Sequence, residues 1–563
     1  MFKGNLLDFQ AEDVQKLKSK RSRLIGNEPG TGKTYEAIAL DQLNRAGDGN
    51  SKVDLPALFP NGKGMKTLII CPKSVLSSWD EHLMELTSED NDIYLVDLSQ
   101  SYQRKKKGIG SNRWRILKHL KDPKTSGYFI VTWDFIRLER DELEKVDFFH
   151  IIADEVHKAK GKKAQQTTAL KALRAIYKTG LSGTPADDKP QDLWSILNWL
   201  WPNYYTAYWA FVKAYVDITT DDEGYRKLGA PKEETIHLLH AEMEPWFTRR
   251  RKKDVLKDLP DKYYSRIWVD LHPKQRKAYD QMKKVMAAWV EQHQDEIDRE
   301  DPIICQAVTI QLIRLQQFAC GYVIPRLDGE GNYVYRRIHK GHPRGQCPFP
   351  DLPLGELDME GVFDWVDVNG KPYKKKAKCR DQQLFDVTDP SAKLDAVMEW
   401  LENRDDQVAI WSQYKSVVYL LEQRLIDAGI PYSLITGDTT QAQREETIQA
   451  FQSGKSRVYI GTIEAGGEGI QLQCSSTSLF IDRTWKPSKN TQAEDRQHRI
   501  GQDNAVQVID IMARNTVDLG RAQKIAMKAK HIAVMLGDEV DQDHIANIMQ
   551  GEPVYEFDEG EQE

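Results

Sequence analysis

Short apolar runs separated by stretches with helical spacing dominate the first two hundred residues. The runs lie at 67–72, 128–133, 148–155 and 177–185. They end at Pro, Gly or charged residues and are rich in β-branched and aromatic side chains, which indicates strands. Helical spacing occupies 75–86 and 167–176. Because continuous apolar runs are typical of strands covered on both faces, the pattern predicts a parallel α/β sheet over about residues 1–200.

A second series of strand-like runs follows in the C-terminal half. Its members are 407–413, 432–438, 457–462, 478–482 and 505–512, with helical patterns at 416–427 and 443–451. The sequence therefore predicts an α/β protein with two parallel-sheet lobes that face each other across a cleft.

The stretch between the two series has a different character. Aromatic and charged helical patterns fill 192–215 and 272–293, and Gly, Pro and charge become frequent after Pro325. The predicted division is 1–200 for an N-terminal lobe, 201–325 for a region of helical protrusions, 326–385 for an insertion or linker, 386–550 for a C-terminal lobe and 551–563 for an acidic, solvated tail.

Composition narrows the class of protein. Charged residues make up 29% of the 563 and the net charge is −6, which excludes a disordered or coiled-coil chain. No run of 18 apolar residues occurs, so we expect no membrane span. The charged N-terminus does not fit a signal peptide, and six cysteines are too few for a disulfide framework. We therefore expect a cytoplasmic protein in which any nucleic-acid binding comes from local patches.

A glycine-rich loop follows the apolar pair Leu24-Ile25. Residues 26–34, GNEPGTGKT, carry the pattern G-x-x-x-x-G-K-[ST], and a helical pattern begins directly after them. Glycines let successive N–H groups turn towards an anion. Lys33 would supply a charge to the outer phosphates and Thr34 a hydroxyl to Mg²⁺. The alternative, a glycine-rich turn with a chance lysine, is disfavoured by this context.

Two carboxylates end a strongly apolar run. Asp154 and Glu155 follow FFHIIA, and the ends of neighbouring parallel strands converge on the phosphate loop. We expect Asp154 to hold Mg²⁺ through its water shell and Glu155 to orient and deprotonate the attacking water.

Two arginines far along the chain have the spacing of one helix face. Arg496 and Arg499 are three residues apart. A guanidinium fork suits phosphate oxygens, so we predict that both reach across the cleft as arginine fingers. Surface salt bridges are the alternative.

The order of these motifs resembles that of the SWI/SNF-type branch of superfamily-two helicases and translocases, in a compact bacterial or viral form. The resemblance covers about residues 5–515 apart from 325–385. Its motifs are LDFQ at 7–10, NEPGTGKT at 27–34, LIICPKS at 68–74, DEVH at 154–157, LSGTP at 181–185, AIWSQY at 409–414, GTIEAGGEGI at 461–470 and QAEDRQHRIGQ at 492–502. The family implies two RecA-like lobes with ATP between them, double-stranded DNA across both, and movement along one strand. Asn27 and Val156 depart from the family's usual Asp and Ala without removing a group that the chemistry needs.

The resemblance also implies roles for individual residues, carried over motif by motif. Nucleotide binding is implied for Gln10, Glu28, Gly30, Thr31, Gly32, Lys33, Thr34, Gly469 and Gln492. Coupling between the nucleotide site and the nucleic-acid track is implied for His157, Ser182, Thr184 and Glu468. Nucleic-acid contacts are implied for Lys73, Ser74, Thr132, Trp133, Ser412, Gln413, Thr462 and Trp485. The basic stretch 247–256 resembles the family's inter-lobe brace.

Four residues of the predicted insertion and its end could bind zinc by their chemistry. His339, His342, Cys347 and Cys379 carry zinc-ligand groups, but their spacing fits no standard pattern, so we favour an ordinary surface insertion.

The leading functional hypothesis is a DNA-stimulated ATPase that moves on double-stranded or branched DNA and remodels protein–DNA complexes or forks. A strand-separating DNA or RNA helicase and a non-catalytic nucleic-acid scaffold are the alternatives, and the intact Lys33, Asp154 and Glu155 argue against the scaffold. We expect a monomer with ATP and Mg²⁺ as ligands and no membrane partner. Its location would be the nucleoid of a bacterium or a virus-infected host cell, with protein partners in replication, repair or recombination.

Overall fold

The fold is taken from a computed structural model. It describes residues 2–48, 58–59, 63–88, 92–96, 112–162, 164–186, 189–220, 226–292, 302–340, 361–363, 377–466 and 470–538.

The first lobe is built on a seven-stranded parallel sheet. Strands β1–β9 lie at Ser22–Ile25, Lys66–Cys71, Ile93–Leu95, Gly127–Thr132, Asp147–Asp154, Arg174–Leu181, Val216–Thr220, Arg226–Pro231 and Phe247–Thr248. The sheet order is β3-β4-β2-β5-β6-β1-β9, and β7 and β8 form a separate antiparallel hairpin. All neighbouring strands of this sheet are parallel, so the chain must cross over the sheet between one strand and the next.

Ten helices surround this sheet. Helices α1–α10 lie at Asp8–Leu17, Lys33–Ala46, Leu76–Leu86, Asn112–Lys121, Trp133–Leu138, Arg140–Leu143, Gln165–Ala172, Leu193–Leu200, Tyr208–Tyr215 and Ile236–Met243. Ile38, Ile69 and Trp79 belong to the core on one face of the sheet, while Phe129, Ile151 and Trp199 belong to the core on the other. This double coverage explains why the strands read as continuous apolar runs.

The second lobe carries a six-stranded parallel sheet. Strands β10–β20 lie at Lys262–Val269, Tyr322–Pro325, Tyr335–Lys340, Gly361–Phe363, Ala377–Gln383, Phe385–Thr388, Val408–Ser412, Tyr432–Ile435, Val458–Thr462, Thr477–Phe480 and Val506–Ala513. The order of the parallel sheet is β10-β20-β19-β16-β18-β17. Two small antiparallel sheets, β11-β15 and β12-β14-β13, lie in sequence between β10 and β16 of this parallel sheet.

Nine further helices complete the described part of the chain. Helices α11–α19 lie at Lys252–Val255, Pro273–Gln292, Pro302–Cys320, Ala392–Glu402, Lys415–Asp427, Gln441–Gln452, Ile463–Gly466, Pro487–Glu494 and Val517–Leu536. Local caps fix several starts: Ser391 Oγ accepts from the N–H of Leu394 at 3.2 Å, and Thr440 and Gln443 form a capping box. No helix in the described ranges is both long and apolar enough to cross a bilayer.

The predicted α/β class with two parallel-sheet lobes is confirmed. Within the predicted 201–325 region, β9 joins the first sheet and β10 the second, so this region contributes strands to both lobes as well as helices. The helix predicted over 167–176 ends at Ala172, because Arg174 already pairs with Asp147 at the start of β6.

Helix α19 connects the two lobes. Near its start, Asp518 pairs with Lys393 of the second lobe at 2.6 Å. Near its end, Ile532, Met535 and Leu536 enter the apolar core of the first lobe. The helix therefore begins on one lobe and ends inside the other.

Candidate nucleotide and nucleic-acid site

The phosphate loop has the backbone that its glycines predict. Gly30 and Gly32 have φ angles of +85° and +82°, which L side chains rarely adopt. Lys33 is the first residue of α2, and its Nζ donates to the carbonyls of Asn27 at 2.8 Å and Glu28 at 3.0 Å. Burial lowers the pKa of Lys33, while Glu155 and Asp154 oppose the shift. The ammonium group therefore lies between the loop and the two carboxylates.

Gln10 lies against the same loop. Its Nε2 donates to the carbonyl of Thr31 at 2.8 Å, and its Oε1 accepts from the N–H of Leu7 at 2.9 Å. A Cβ at Gly32 would lie 2.4 Å from Gln10 Nε2, so only glycine fits there. Thr34 follows Lys33 in the first turn of α2. The predicted nucleotide-binding residues of the first lobe are therefore together around one loop.

Asp154 and Glu155 stand at the end of β5, as their sequence position predicts. Asp154 Oδ2 accepts from Trp79 Nε1 at 2.9 Å, and the Asp154 carbonyl accepts from Trp133 Nε1 at 3.0 Å. Glu155 has a φ of +50°, a strained conformation for a residue with a side chain. The β strand thus ends in a turn that presents both carboxylates to the loop.

The two carboxylates differ in their ionisation. Burial and the neighbouring charge of Glu155 raise the pKa of Asp154. Burial also opposes ionisation of Glu155, but His157 and Lys33 outweigh it and lower the pKa of Glu155. Oxygen donors with excess negative charge suit a hard divalent cation. Asp154 and Thr34 carry oxygen donors of the kind that would hold Mg²⁺ together with phosphate oxygens. The described residues contain no group of three or more metal-ligating side chains.

Three of the four predicted coupling residues form one connected path. His157 Nδ1 lies 3.1 Å from Glu155 Oε2 and 3.0 Å from Ser182 Oγ. Ser182 Oγ accepts from the N–H of Thr184 at 3.1 Å. The N–H of Ser182 donates to the carbonyl of Ile25, directly before the phosphate loop, at 3.1 Å. Glu468 and Gly469 lie outside the described residues.

The arginine motif of the second lobe lies beside the phosphate loop. A Cβ at Gly30 would be 3.3 Å from Arg499 Cβ. Arg496 and Arg499 both donate through Nη1 to the carbonyl of Ile470, at 3.4 and 3.3 Å. Burial and the charge of Arg496 lower the pKa of Arg499 to about 10. The backbone of the arginine motif therefore lies against the phosphate loop, while both guanidinium groups are hydrogen-bonded within the second lobe.

The helix expected for the two arginines ends earlier than the spacing suggests. Helix α18 stops at Glu494, and both arginines lie in the turns after it. The shared carbonyl of Ile470, rather than a helix face, holds them together. Gln492 is inside α18 and accepts from Lys489 Nζ at 3.2 Å.

Three basic residues at the cleft were not predicted individually. Lys489 lowers the pKa of Glu155 from the opposite lobe. Lys252 Nζ pairs with Asp495 at 2.9 Å, and its N–H donates to Glu28 at 2.8 Å. Arg249 Nη1 donates to the carbonyl of Gly183 at 2.8 Å and also to that of Gly26. The last two lie in the stretch 247–256 whose resemblance to the family's inter-lobe brace was the sequence signal for them.

A surface cavity of about 470 Å³ lies between the lobes. Its first-lobe wall contains the predicted nucleic-acid residues Lys73, Ser74, Thr132 and Trp133, and its second-lobe wall contains Thr436, Thr440 and Arg444. Four of the eight predicted residues therefore line one groove. Trp133 is only 3% exposed, so in this groove it supports Asp154 rather than presenting a ring face.

The other four predicted nucleic-acid residues lie elsewhere in the second lobe. Ser412 is fully buried and donates to Asp482, which also accepts from the N–H of Gln413 at 2.9 Å. Thr462 is buried at the end of β18, and the carbonyl of Trp485 accepts from Lys528 at 3.3 Å. In the predicted insertion, the backbones of His339 and Cys379 pair between β12 and β14. Their side chains, and all of His342 and Cys347, lie outside the described residues.

Fold and site together define a P-loop protein with two parallel α/β lobes around a shared cleft. The chain belongs to the SNF2-related family: residues 9–320 match the SNF2-related domain, and residues 392–501 match the helicase conserved C-terminal domain.

Relatives cover nearly the whole chain. It is 25% identical over 536 residues to the Saccharomyces cerevisiae transcription regulatory protein SNF2, covering 92% of this chain and 27% of the relative. It is 23% identical over 543 residues to an uncharacterized ATP-dependent helicase of Mycoplasma pneumoniae, covering 95% and 43%. The chain thus spans less than half the length of these relatives. The solved Sulfolobus solfataricus SWI2/SNF2 ATPase core in complex with dsDNA is 21% identical, with 98% of each chain covered and a TM-score of 0.37.

Proposed function

We propose that this chain hydrolyses ATP in the cleft between its lobes, is stimulated by DNA and uses the cycle to move along double-stranded DNA. The observation that carries the proposal is the approach of Arg499 to Gly30, because it joins the arginine motif of one lobe to the phosphate loop of the other. Membership in the SNF2-related family supports the same chemistry.

Each group has a defined task in this proposal. Lys33 and the loop N–H groups hold the outer phosphates of ATP, and Mg²⁺ supplies charge that neutralises them. Glu155 follows Asp154 at the end of β5 and lies 3.1 Å from His157, so it orients the attacking water and accepts its proton. Arg499 stabilises the charge that spreads over the γ-phosphate oxygens, an effect of roughly 10³–10⁵ in comparable enzymes.

DNA would stimulate this reaction through the groove between the lobes. Lys73 and Ser74 of the first lobe face Thr440 and Arg444 of the second across the cavity. A duplex held by both walls through its phosphates would favour the arrangement in which Arg499 meets the loop. Trp133 lines the groove and donates to the backbone carbonyl of Asp154, which connects the groove to the end of β5 where the carboxylates lie.

The test is the ATPase rate of the full chain with no nucleic acid, single-stranded DNA, duplex DNA, branched DNA or RNA. We expect duplex or branched DNA to raise the rate at least tenfold. Glu155→Gln is expected to bind ATP without turning it over. Equal rates in all five conditions would refute DNA stimulation.

Product assays separate translocation from strand separation. A translocase displaces a third strand from a triplex, whereas a helicase frees a labelled strand from a duplex. We expect triplex displacement that requires ATP and is absent in Glu155→Gln. Release of the duplex strand at a comparable rate would instead assign the helicase activity.

A further inference from the structure

A small pocket lined by aromatic residues lies away from the nucleotide cleft, between α8, α9 and α10. Its volume is about 180 Å³. We call it the tyrosine pocket; its walls include Tyr204, Tyr205, Phe211, Tyr215 and Glu242. None of these residues takes part in the proposed ATPase chemistry.

The rings are fixed in position by the chain around them. The N–H groups of Tyr204 and Tyr205 both donate to the carbonyl of Trp201 in the turn after α8, at 3.1 and 3.0 Å. Neighbouring rings meet edge to face: the centroids of Tyr205 and Phe211 are 6.2 Å apart, and those of Phe211 and Tyr215 are 5.2 Å apart. The pocket is therefore a built feature of the first lobe.

One carboxylate lies at the centre of these rings. Tyr205 and Tyr215 donate their hydroxyls to the two oxygens of Glu242 at 3.1 and 2.9 Å. Burial and the charge of Glu242 raise the pKa of both tyrosines. Within the described part of the chain, no Lys, Arg or His lies within salt-bridge distance of Glu242. Glu242 is thus hydrogen-bonded by tyrosine hydroxyls and has no cationic partner among those residues.

Aromatic faces and a carboxylate together favour one class of ligand. Ring faces attract an ammonium group, and a carboxylate adds direct charge attraction. Tyr204 is 64% exposed at the rim while Tyr205, Phe211 and Tyr215 are buried, so the pocket has an open mouth and a closed floor. Such a shape suits the end of a long side chain that enters from a surface.

We propose that the tyrosine pocket binds the alkylammonium end of a lysine side chain presented by a partner polypeptide. The proposal does not depend on the ATPase mechanism, because the pocket shares no residue with the cleft.

The test is saturation-transfer difference NMR on the full chain with three blocked amino acids and one free cation. The probes are the N-acetyl amides of Nε-trimethyl-lysine, lysine and norleucine, together with tetramethylammonium. We expect transfer to the two lysine probes, strongest at the Nε-methyl protons, and none to norleucine, which keeps the stem without the charge. Equal transfer to norleucine would overturn the proposal, because the pocket would then bind the apolar stem without the ammonium group. Tetramethylammonium binding as tightly as the lysine probes would overturn the polypeptide source.

Variants separate the carboxylate from general folding. Glu242→Gln is expected to weaken the lysine probes about tenfold, while Glu234→Gln, an exposed neighbour, leaves them unchanged. Tyr204→Ala alters only the exposed rim and is expected to weaken binding a few-fold while keeping the circular dichroism spectrum. Unchanged binding in Tyr204→Ala and in a folded Glu242→Gln would overturn the proposal.

Discussion

Two buried clusters of charged residues differ in their position: one lies within the first lobe and the other lies between the lobes. The internal cluster surrounds Asp41 inside the first lobe. Asp41 accepts from Arg45 at 2.7 Å and from Thr67, Tyr128 and His150 at 2.8 Å each. Although burial opposes its ionisation, Arg45 and His150 hold the pKa of Asp41 well below its usual range.

The inter-lobe cluster has partners on different bodies. Lys252 follows the last strand of the first sheet and donates to the His498 carbonyl at 2.6 Å while pairing with Asp495. Arg249 pairs with Asp538, beyond the end of α19, at 2.6 Å. Burial lowers the pKa of Lys252 to about 8 against the pull of Asp495.

The difference lies in what must move. Every partner of Asp41 belongs to one sheet and the helix after the phosphate loop, so this cluster can stay intact through a reaction cycle. The partners of Lys252 would separate if the proposed cycle opens the lobes. Damage to the internal cluster should therefore appear in stability, and damage to the inter-lobe cluster should appear in turnover.

The largest effect is expected from Asp41→Asn. It leaves Arg45 buried without its counter-charge, which costs about 3–5 kcal/mol in the free energy of unfolding. Guanidinium denaturation followed by circular dichroism measures it. The control is Asp134→Asn, whose partly exposed pair with Arg137 should be worth less than about 1 kcal/mol. Equal losses in the two variants would contradict the distinction.

The second largest effect is expected from low pH, which should destabilise the internal cluster. Burial lowers the pKa of His150 to about 4, against about 6.5 in an unfolded chain. The unfolded state then binds more protons, so stability contributed by His150 is complete above pH 6.5 and is lost as pH falls towards 4. We expect a loss of about 3 kcal/mol across this window. His150→Gln should flatten the dependence; an unchanged slope would assign it to other groups.

Lys252→Met should affect turnover more than folding. The proposed ATPase needs the turn at His498 and Arg499 to lie beside Gly30. Lys252 donates to the His498 carbonyl, and its side chain also lies against Gly30. We expect DNA-stimulated hydrolysis to fall about tenfold, equivalent to about 1.4 kcal/mol of barrier. Lys253→Met, an exposed neighbour, is the matched control. A loss in Lys252→Met that appears only as unfolding would place the residue with the internal cluster instead.

The smallest of the stability losses is expected from Asp538→Asn. Asp538 is partly exposed whereas Asp41 is fully buried, and Arg249 keeps its carbonyl partners at Gly26 and Gly183, so the free energy of unfolding should fall by only about 1.5 kcal/mol. Hydrogen exchange in the last turn of α19 should rise several-fold because its tether is weakened. Asp503→Asn, exposed and remote in sequence, should leave that exchange unchanged.

The sequence predicted elements whose burial is uniform. All six residues of β2 are buried, and its continuous apolar run predicts a strand. Strand β10 has the opposite character: Tyr263 and Tyr264 are exposed, and its pairing with β20 depends on residues more than 200 positions away. A half-exposed strand with mixed polarity carries no periodic signal, so only the folded lobe defines it.

The site divides in the same way. Lys33, Asp154 and Glu155 could be predicted because each lies in a short contiguous motif, and such a motif specifies the local backbone that positions its side chains. The pairing of Arg249 with Asp538 joins positions 289 residues apart, and nothing local in either segment specifies the other. The end of α18 at Glu494 could not be predicted from the sequence either. Two arginines three residues apart can share a helix face, but they can also lie in a turn where both bind the same carbonyl.

Helix α19 gives the pair of lobes a second attachment besides the chain between β9 and β10. A body joined to another at one point can swivel in any direction, whereas two separated joints leave a single axis on which it turns. Opening and closing would then retrace the same arc on every cycle. Each hydrolysed nucleotide would then bring Arg499 back to the phosphate loop by the same path.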